Sequence, residues 1–520
     1  MITREYDGIA GAGGVKDVSM QLSEALAEAG KKVSVVMPLY GSMNPEQLGF
    51  KPLGLAFDVD MPYVGLERRE RVTIWSRNGR VSIYLVDAQR YREKRSIYTY
   101  TAEEEAENLS NRQGDGHFDY FAMNVLLQKA SIALMICLNE VPDIIHCQDG
   151  HTAILPAMIR ETEGYRHFFR KTGFIVTIHN AGIGYHQEVG DLPFAQTICG
   201  LPTRTMINSL LHDYFDPFLA ASPYSVMNTV SENYARELRE TEDDVMTGWL
   251  GHELLKRGVR LVGVTNGINP EDFNPGKPKQ LGIAAGFDPL SGDLAGKKKC
   301  RKELMKLIND RKLDRILQTG SIEDRPGQPL FTLVGRLTFQ KGVDKLIGAL
   351  DALLAMDTNF QVLLLGTGDK EIENSLIELT KKKKSSGRIC VLFGYDPVLA
   401  NKIYAAGDFF LIPSQYEPCG LTDYIAQLYG NIPIVHHVGG LVKVVDNETG
   451  FAYQDHNSAA LMAAMQKALQ IYRRSPDTIK KIQQKAVRHI HDNYTWKKVV
   501  EHYISLYQEA LTLISTSEQI

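Results

Sequence analysis

Residues 408–446 read DFFLIPSQYEPCGLTDYIAQLYGNIPIVHHVGGLVKVVD, and their alternation of apolar runs with turn chemistry sets the class of the whole chain. Phe409 to Ile412 has the length and composition of a buried strand, closed by Pro413-Ser414. A polar turn then carries Glu417, and Pro418-Cys419-Gly420 leads into a helical pattern of Leu421, Ile425 and Leu428. The helix start at Leu421-Thr422 leaves backbone N–H groups unpaired and partially positive, which attracts phosphate. A second short strand, Ile432 to Val435, ends at Val438-Gly439-Gly440, where missing Cβ atoms let a ligand lie against the backbone. Taken singly, the glycines are turn formers and Glu417 is a solvated carboxylate. Together they put a carboxylate, a dipole and two glycine turns at one sheet edge.

The same grammar recurs upstream. Leu330 to Val334 is a strand, and Gly335-Arg336-Leu337-Thr338-Phe339-Gln340-Lys341-Gly342 enters a helix through Val343, Leu346 and Leu350. Arg336 and Lys341, five positions apart, can meet one anion together, Arg as a rigid fork of donors and Lys as a mobile charge. Val362 to Leu365 and Cys390 to Phe393 are further strands; the second leads to Gly394-Tyr395-Asp396, with Tyr395 either an exposed stacking ring or a packed one. Near the N-terminus a glycine loop, 8–14, feeds a helix with Val18, Leu22 and Leu26 on one face, then the strand Val33 to Met37. That is a mononucleotide-type βαβ start.

Between these halves, 40–92 alternates short apolar runs with charged turns, as β-rich structure does. Residues 101–116 read as a surface loop or lid, and Phe118 to Cys137 as a buried helix. A strand at 143–146 ends in Cys147-Gln148-Asp149, with Asp149 placed to cap a helix near Thr152. Phe174 to Ile178 is a strand closed by His179-Asn180. Residues 288–301 read as mobile surface ahead of a helix.

With 520 residues the chain is too long for one core. Its 44% hydrophobic and 23% charged residues describe a soluble globular protein, and a net charge of −4 gives no reason to expect nucleic acid or a membrane surface. Lys381 to Lys384 is the solvated end of a helix. Six scattered cysteines without a C-x-x-C pair point to reduced core residues in a cytoplasm, and no metal site is expected. No signal peptide and no run long enough to span a bilayer is read.

E-P-C-G-L-T followed by Y-G, I-P and G-G-L resembles the donor-site signature of bacterial glycogen synthases and plant starch synthases, retaining glucosyltransferases of the GT-B fold. The resemblance spans essentially the whole chain: R-L-T-x-Q-K-G at 336–342, G-Y-D at 394–396, T-I-H-N at 177–180, T-V-S-x-x-Y-A at 229–235 and N-G-I at 266–268. It implies an α/β protein of two Rossmann-like domains facing across a deep cleft: residues 1–264 on the acceptor side, 265–490 on the nucleotide-sugar side, and a helix over 491–520 crossing back to the first domain. It implies glucose transfer from ADP-glucose, or UDP-glucose, to the non-reducing end of an α-1,4-glucan with retention, without metal or cofactor. Arg336 and Lys341 are then the diphosphate ligands, Glu417 and His179 address the donor glucose, and Tyr395 lies beside the base. Asp149, Asn180 and Asn266 line the cleft, while Cys419, Gly420, Leu421, Thr422, Gly439 and Gly440 form the donor loops. The front-face route of the family fits a chain without the paired carboxylates of retaining glycosidases.

Several positions depart from the pattern. In K-x-G-G-L-G-D-V, Gly13, Gly14, Asp17 and Val18 fit, but Gly11 stands at the lysine that contacts donor phosphates, and Lys16 stands at a glycine. Lys16 either reaches the anion from across the loop or is a surface residue. Gln415, Asp423 and Lys443 replace the usual arginine, glutamine and aspartate. A first strand that has barely begun at Met1 leads to the expectation that the start lies upstream. Rival readings are a related GT-B transferase with another acceptor and a catalytically weak glucan-binding or regulatory protein. Oligomeric state does not follow from the sequence.

Overall fold

A computed structural model describes the chain except Lys312, Asp314, Asp324, Pro326 and residues 518–520, and the side chains of 515–517. It divides into two compact units, Met1–Gly267 with Trp496–Ile520, and Ile268–Thr495. The crossover therefore follows Gly267, and residues 491–495 stay with the second unit.

In the second unit, Leu330–Val334, Gln361–Gly366, Arg388–Phe393, Phe409–Ile412, Ile432–His436 and Phe451–Tyr453 form parallel strands, with Leu317–Ile322 antiparallel at one edge. Numbered in chain order, the six parallel strands lie 3-2-1-4-5-6, the doubly wound order. Their near-continuous apolar runs follow from burial on both faces by helices. One core layer packs Leu346, Leu350 and Leu353 of the helix Val343–Met356 against Phe331 and Leu364; the other packs Leu304 and Ile308 of Ala295–Asn309 against Leu363 and Leu392. The strand order reverses between Leu330–Val334 and Phe409–Ile412, and such a reversal opens a crevice at the carboxyl ends. The two loops carrying Arg336, Lys341 and Glu417 both begin there.

The first unit holds two four-stranded halves. One runs Val33–Pro38, Val81–Ala88, Arg69–Arg77, Lys51–Asp60; the other runs Leu261–Gly263, Val226–Thr229, Gly173–Ile178, Ile144–Gln148. Ile2 joins them by parallel bridges to Val36 and Cys147. The N-terminal amine donates to Ser34 O at 2.8 Å, and burial pulls its pKa down to about 6. Val18, Leu22 and Leu26 of the helix Gly14–Glu28 pack with Val499, Tyr503 and Leu506 of the final helix, which starts at Trp496. The Trp496 indole donates to Gln21 Oε1 at 2.5 Å.

Four expectations are corrected. Within 101–116, Ala102–Glu107 is a helix with a capping box between Thr101 and Glu104. Phe118 precedes the helix Tyr120–Cys137 and is 93% exposed, because the apolar periodicity it joins starts two residues later. That helix is apolar and long enough to span a membrane by length and composition, yet most of it is buried in the protein. Lys297 is not mobile surface: it is buried in the helix Ala295–Asn309, where its Nζ donates to Tyr404 O, Tyr429 O and Asn431 Oδ1 at 2.9–3.1 Å.

Candidate active site

In the second unit Arg336, Lys341 and Glu417 meet at the strand-order reversal, while Tyr395 follows a strand two places away. Gly342 turns the 335–342 loop at φ +66°, and a Cβ there would overlap the Pro413 carbonyl oxygen. Only glycine lets this loop close onto the turn that carries Glu417. Across that junction Gln340 Nε2 donates to Tyr416 O at 2.9 Å and Gln415 N–H to Gln340 O at 2.9 Å. Arg336, exposed, donates from Nη2 to Gln340 Oε1 at 3.2 Å. Lys341 Nζ lies 2.5 Å from Glu417 Oε2, which also accepts from Ser414 Oγ at 2.9 Å. Burial works to raise the Glu417 pKa, but the Lys341 ammonium and the Ser414 hydroxyl hold it below the ordinary carboxylate range. The site thus contains an ionised carboxylate, one cation bound to it and one exposed cation held by Gln340.

The second wall is backbone. Gly439 and Gly440 pack so closely on the 417–420 loop that Cβ atoms there would overlap the Glu417 and Cys419 carbonyl oxygens, and Gly440 N–H donates to Glu417 O at 2.9 Å. Gly420 has φ +73°, and Leu421 precedes the helix Thr422–Leu428 without a side-chain cap. Cys419 is buried, while Leu421 and Thr422 are half-buried. Tyr395 is 78% exposed, which decides for an available ring over a packed one. Ser414 was missed in the sequence, although its place three residues before Glu417 in the same turn was a usable signal.

In the first unit another set gathers at the ends of Ile144–Gln148 and Gly173–Ile178. Asp149 is no helix cap. It takes φ +62° and its Oδ1 accepts from His179 N–H at 2.8 Å and Asn180 N–H at 3.4 Å, tying two strand ends together. Burial raises its carboxyl to about 7 against the pull of those N–H groups. His179 is buried, its pKa lowered to about 4 by desolvation, so the ring is neutral; Nε2 donates to Gln148 Oε1 at 2.6 Å. Asn180 Oδ1 accepts from Gly182 N–H at 2.8 Å, and Asn266 is buried just past Leu261–Gly263.

The glycine loop holds the largest surprise. Glu5 Oε2 accepts from Ala12 N–H at 2.6 Å and Gly13 N–H at 2.8 Å, and its Oε1 accepts from the Tyr98 hydroxyl at 2.5 Å. Gly14 opens the helix that follows. Lys16 folds across the loop so that its methylenes fill the space a Gly11 side chain would need, and its Nζ pairs with Asp7 at 2.9 Å and Asp17 at 2.7 Å. Glu5, Gln148 and Tyr98 carried no local signal, since their partners lie 7 to 93 residues away.

Residues 1–255 match the starch synthase catalytic domain and 314–486 the glycosyl transferases group 1 pattern. The chain is 30% identical to a glycogen synthase of Photobacterium profundum, over 97% of this chain and 93% of that one. It is 31% identical to a glycogen synthase of Lacticaseibacillus casei, over 96% of each. In fold it matches the catalytic domain of starch synthase IV from Arabidopsis thaliana, solved with ADP and acarbose, at a TM-score of 0.79 with 24% identity and 98% of both chains covered. Sucrose-phosphate synthase from Thermosynechococcus elongatus matches at 0.58 with 18% identity, again over 98% of both chains. The chain belongs to the glycogen synthase and starch synthase family of glycosyltransferases, with the GT-B fold.

Proposed function

We propose that the protein transfers glucose from ADP-glucose to the non-reducing end of an α-1,4-glucan with retention of configuration. The observation that carries this reading is the junction of Arg336, Lys341 and Glu417 at the strand-order reversal of the second unit. Breaking the anomeric C–O bond puts charge on the departing diphosphate, and fixed positive groups there lower the barrier most directly. Arg336 supplies a planar fork. Lys341 supplies a point charge that exchanges Glu417 for phosphate when donor binds, which frees Glu417 to accept sugar hydroxyls and favour positive charge at the anomeric carbon. The N–H groups of Gly420 and Leu421, which donate to no acceptor among the described residues, complete the anion site. No metal or cofactor enters this reading. The base choice is supported by likeness to bacterial glycogen synthases and by the ADP in the starch synthase structure.

In the first unit, His179 and Asn180 are assigned to donor glucose, and Asp149 holds them in place. Gly13, Gly14 and Lys16 are assigned to the loop beside the phosphates, and Asn266 to the substrate-binding residues. The deciding experiment measures transfer of labelled glucose to glycogen from ADP-glucose and UDP-glucose, together with glycogen binding in the absence of donor. Faster transfer from ADP-glucose is expected, with α-1,4 linkages in the product. Glycogen binding without transfer from either donor would leave the binding-protein reading in its place.

A further inference from the structure

Lys443 is 8% exposed and lies under the loop that leads to Leu421-Thr422. Its Nζ donates to Cys419 O and, at 2.7 Å, to Gly420 O. It stands 4.4 Å over the Tyr424 ring and 3.1 Å from Asp423 Oδ1. That oxygen makes no hydrogen bond, so the contact is ionic, and Asp423 is fully buried. Burying a pair like this is costly and usually adds little stability over apolar side chains of the same volume. A different return is therefore needed to account for it.

Peptide geometry supplies one. In a trans peptide the C=O and N–H point in opposite directions. The Cys419 carbonyl shares its peptide with Gly420 N–H, and the Gly420 carbonyl with Leu421 N–H. Holding both oxygens on one ammonium turns both N–H groups away from it, and neither donates to an acceptor among the described residues. Gly439 and Gly440 fix the same stretch from their side. We infer that Lys443 is a positioning residue for the donor diphosphate, orienting the Gly420 and Leu421 N–H groups toward the anion, with Asp423 as its buried counter-ion. This rests on the reading of that loop as the diphosphate site. Two of the positions where the sequence departs from the family pattern, Asp423 and Lys443, thus form one buried ion pair.

The test is ADP affinity by calorimetry on the full chain, with maltoheptaose affinity as the control. Lys443→Met is expected to weaken ADP at least tenfold and to leave maltoheptaose within twofold. Lys443→Met/Asp423→Asn removes both charges with little change in volume; ADP should stay at least tenfold weaker. Recovery of ADP affinity in that double variant would reduce Lys443 to packing and overturn the inference. Asp423→Asn keeps the ammonium on its carbonyls and should bind ADP within threefold of wild type or tighter; a loss matching that of Lys443→Met would also overturn it. Wild-type protein that binds no ADP overturns the reading of the loop itself, whereas wild-type binding with an unaffected Lys443→Met sinks only the role of Lys443.

Discussion

The two units build a glycine loop between a strand end and a helix, yet leave them in opposite electrostatic states. At 11–14 the loop N–H groups already hold an anion, the carboxylate of Glu5, and the local cation Lys16 is paired with Asp7 and Asp17. Among the described residues, the N–H groups of Gly420 and Leu421 at 419–422 donate to no acceptor, and Arg336 has no carboxylate partner. A loop that satisfies itself gains stability; one left unsatisfied keeps its binding capacity for a ligand. The same backbone device is structural in one unit and receptive in the other, and the side chain that decides is a glutamate contributed from seven residues away.

Removing the cations of the receptive site should have the largest effect. Arg336→Ala and Lys341→Ala are each expected to cost roughly 2–4 kcal/mol of transition-state stabilisation, about 30- to 1000-fold in kcat/KM for the donor, by analogy with losing one preorganised donor. Lys341→Ala also strips Glu417 of its partner, so its carboxyl should titrate upward and the acid limb of the pH–rate profile should move with it. Wild-type rates in either variant would remove the 335–342 loop from the chemistry. Breaking the self-satisfied loop should instead appear as stability. Glu5→Gln weakens three charge-assisted hydrogen bonds, from Ala12, Gly13 and Tyr98, and is expected to lower the unfolding free energy by about 1–3 kcal/mol, read by chemical denaturation. ADP affinity should hold or improve, since a negative charge leaves the loop. An affinity loss as large as that of Arg336→Ala would erase the contrast between the loops.

How much of this was legible follows from sequence distance. The 335–342 loop and the 413–422 turn are strand, turn and helix start within ten residues, so local chemistry exposed them; Gly342 and Gly440 are required by contacts that the turn itself creates. Lys297 reads as surface because a lysine reads as polar, and only carbonyls from Tyr404 and Tyr429 make its burial tolerable. Asp149 looks like a cap because it stands before a helix, but a left-handed backbone aims its carboxylate at another strand end. Thr101-Ala102-Glu103-Glu104 was a readable capping box hidden by the acidity of its surroundings. Lys443 was visible as a departure from the family pattern, while its role depended on carbonyls 23 and 24 residues away.

The first unit's reliance on internal ion pairs predicts a pH response of intermediate size. His186 is buried, which alone would lower its pKa, but Asp216 Oδ2 at 2.7 Å and Ala181 O at 2.6 Å raise it to about 9. A histidine with a raised folded pKa contributes stability in full below its unfolded value near 6.5, and loses it as pH rises through the folded value. The melting temperature should therefore decline between pH 6.5 and 9, and His186→Gln should flatten that slope while lowering stability at pH 6. A slope unchanged by the substitution would assign it to other groups.

The smallest effect is expected at Lys16, where the contrast between the loops is sharpest. Its side chain is 30% exposed and its partners Asp7 and Asp17 are 42% and 34% exposed, so the ion pairs are screened and worth about 0–1 kcal/mol. Lys16→Met should change ADP affinity by less than threefold, because an ammonium held between two carboxylates offers phosphate little net charge. A tenfold loss would show that the lysine leaves its carboxylates for the donor, and the first unit's loop would then join the second as a receptive one. Gly11→Lys tests the same point from the other side. Lys16 methylenes occupy the path of any side chain at that position, so the substitution needs Lys16→Ala beside it. If Gly11→Lys/Lys16→Ala binds ADP more tightly than Lys16→Ala alone, the loop is competent for phosphate and only its cation is misplaced; if it does not, the Glu5 carboxylate is what closes the loop to anions.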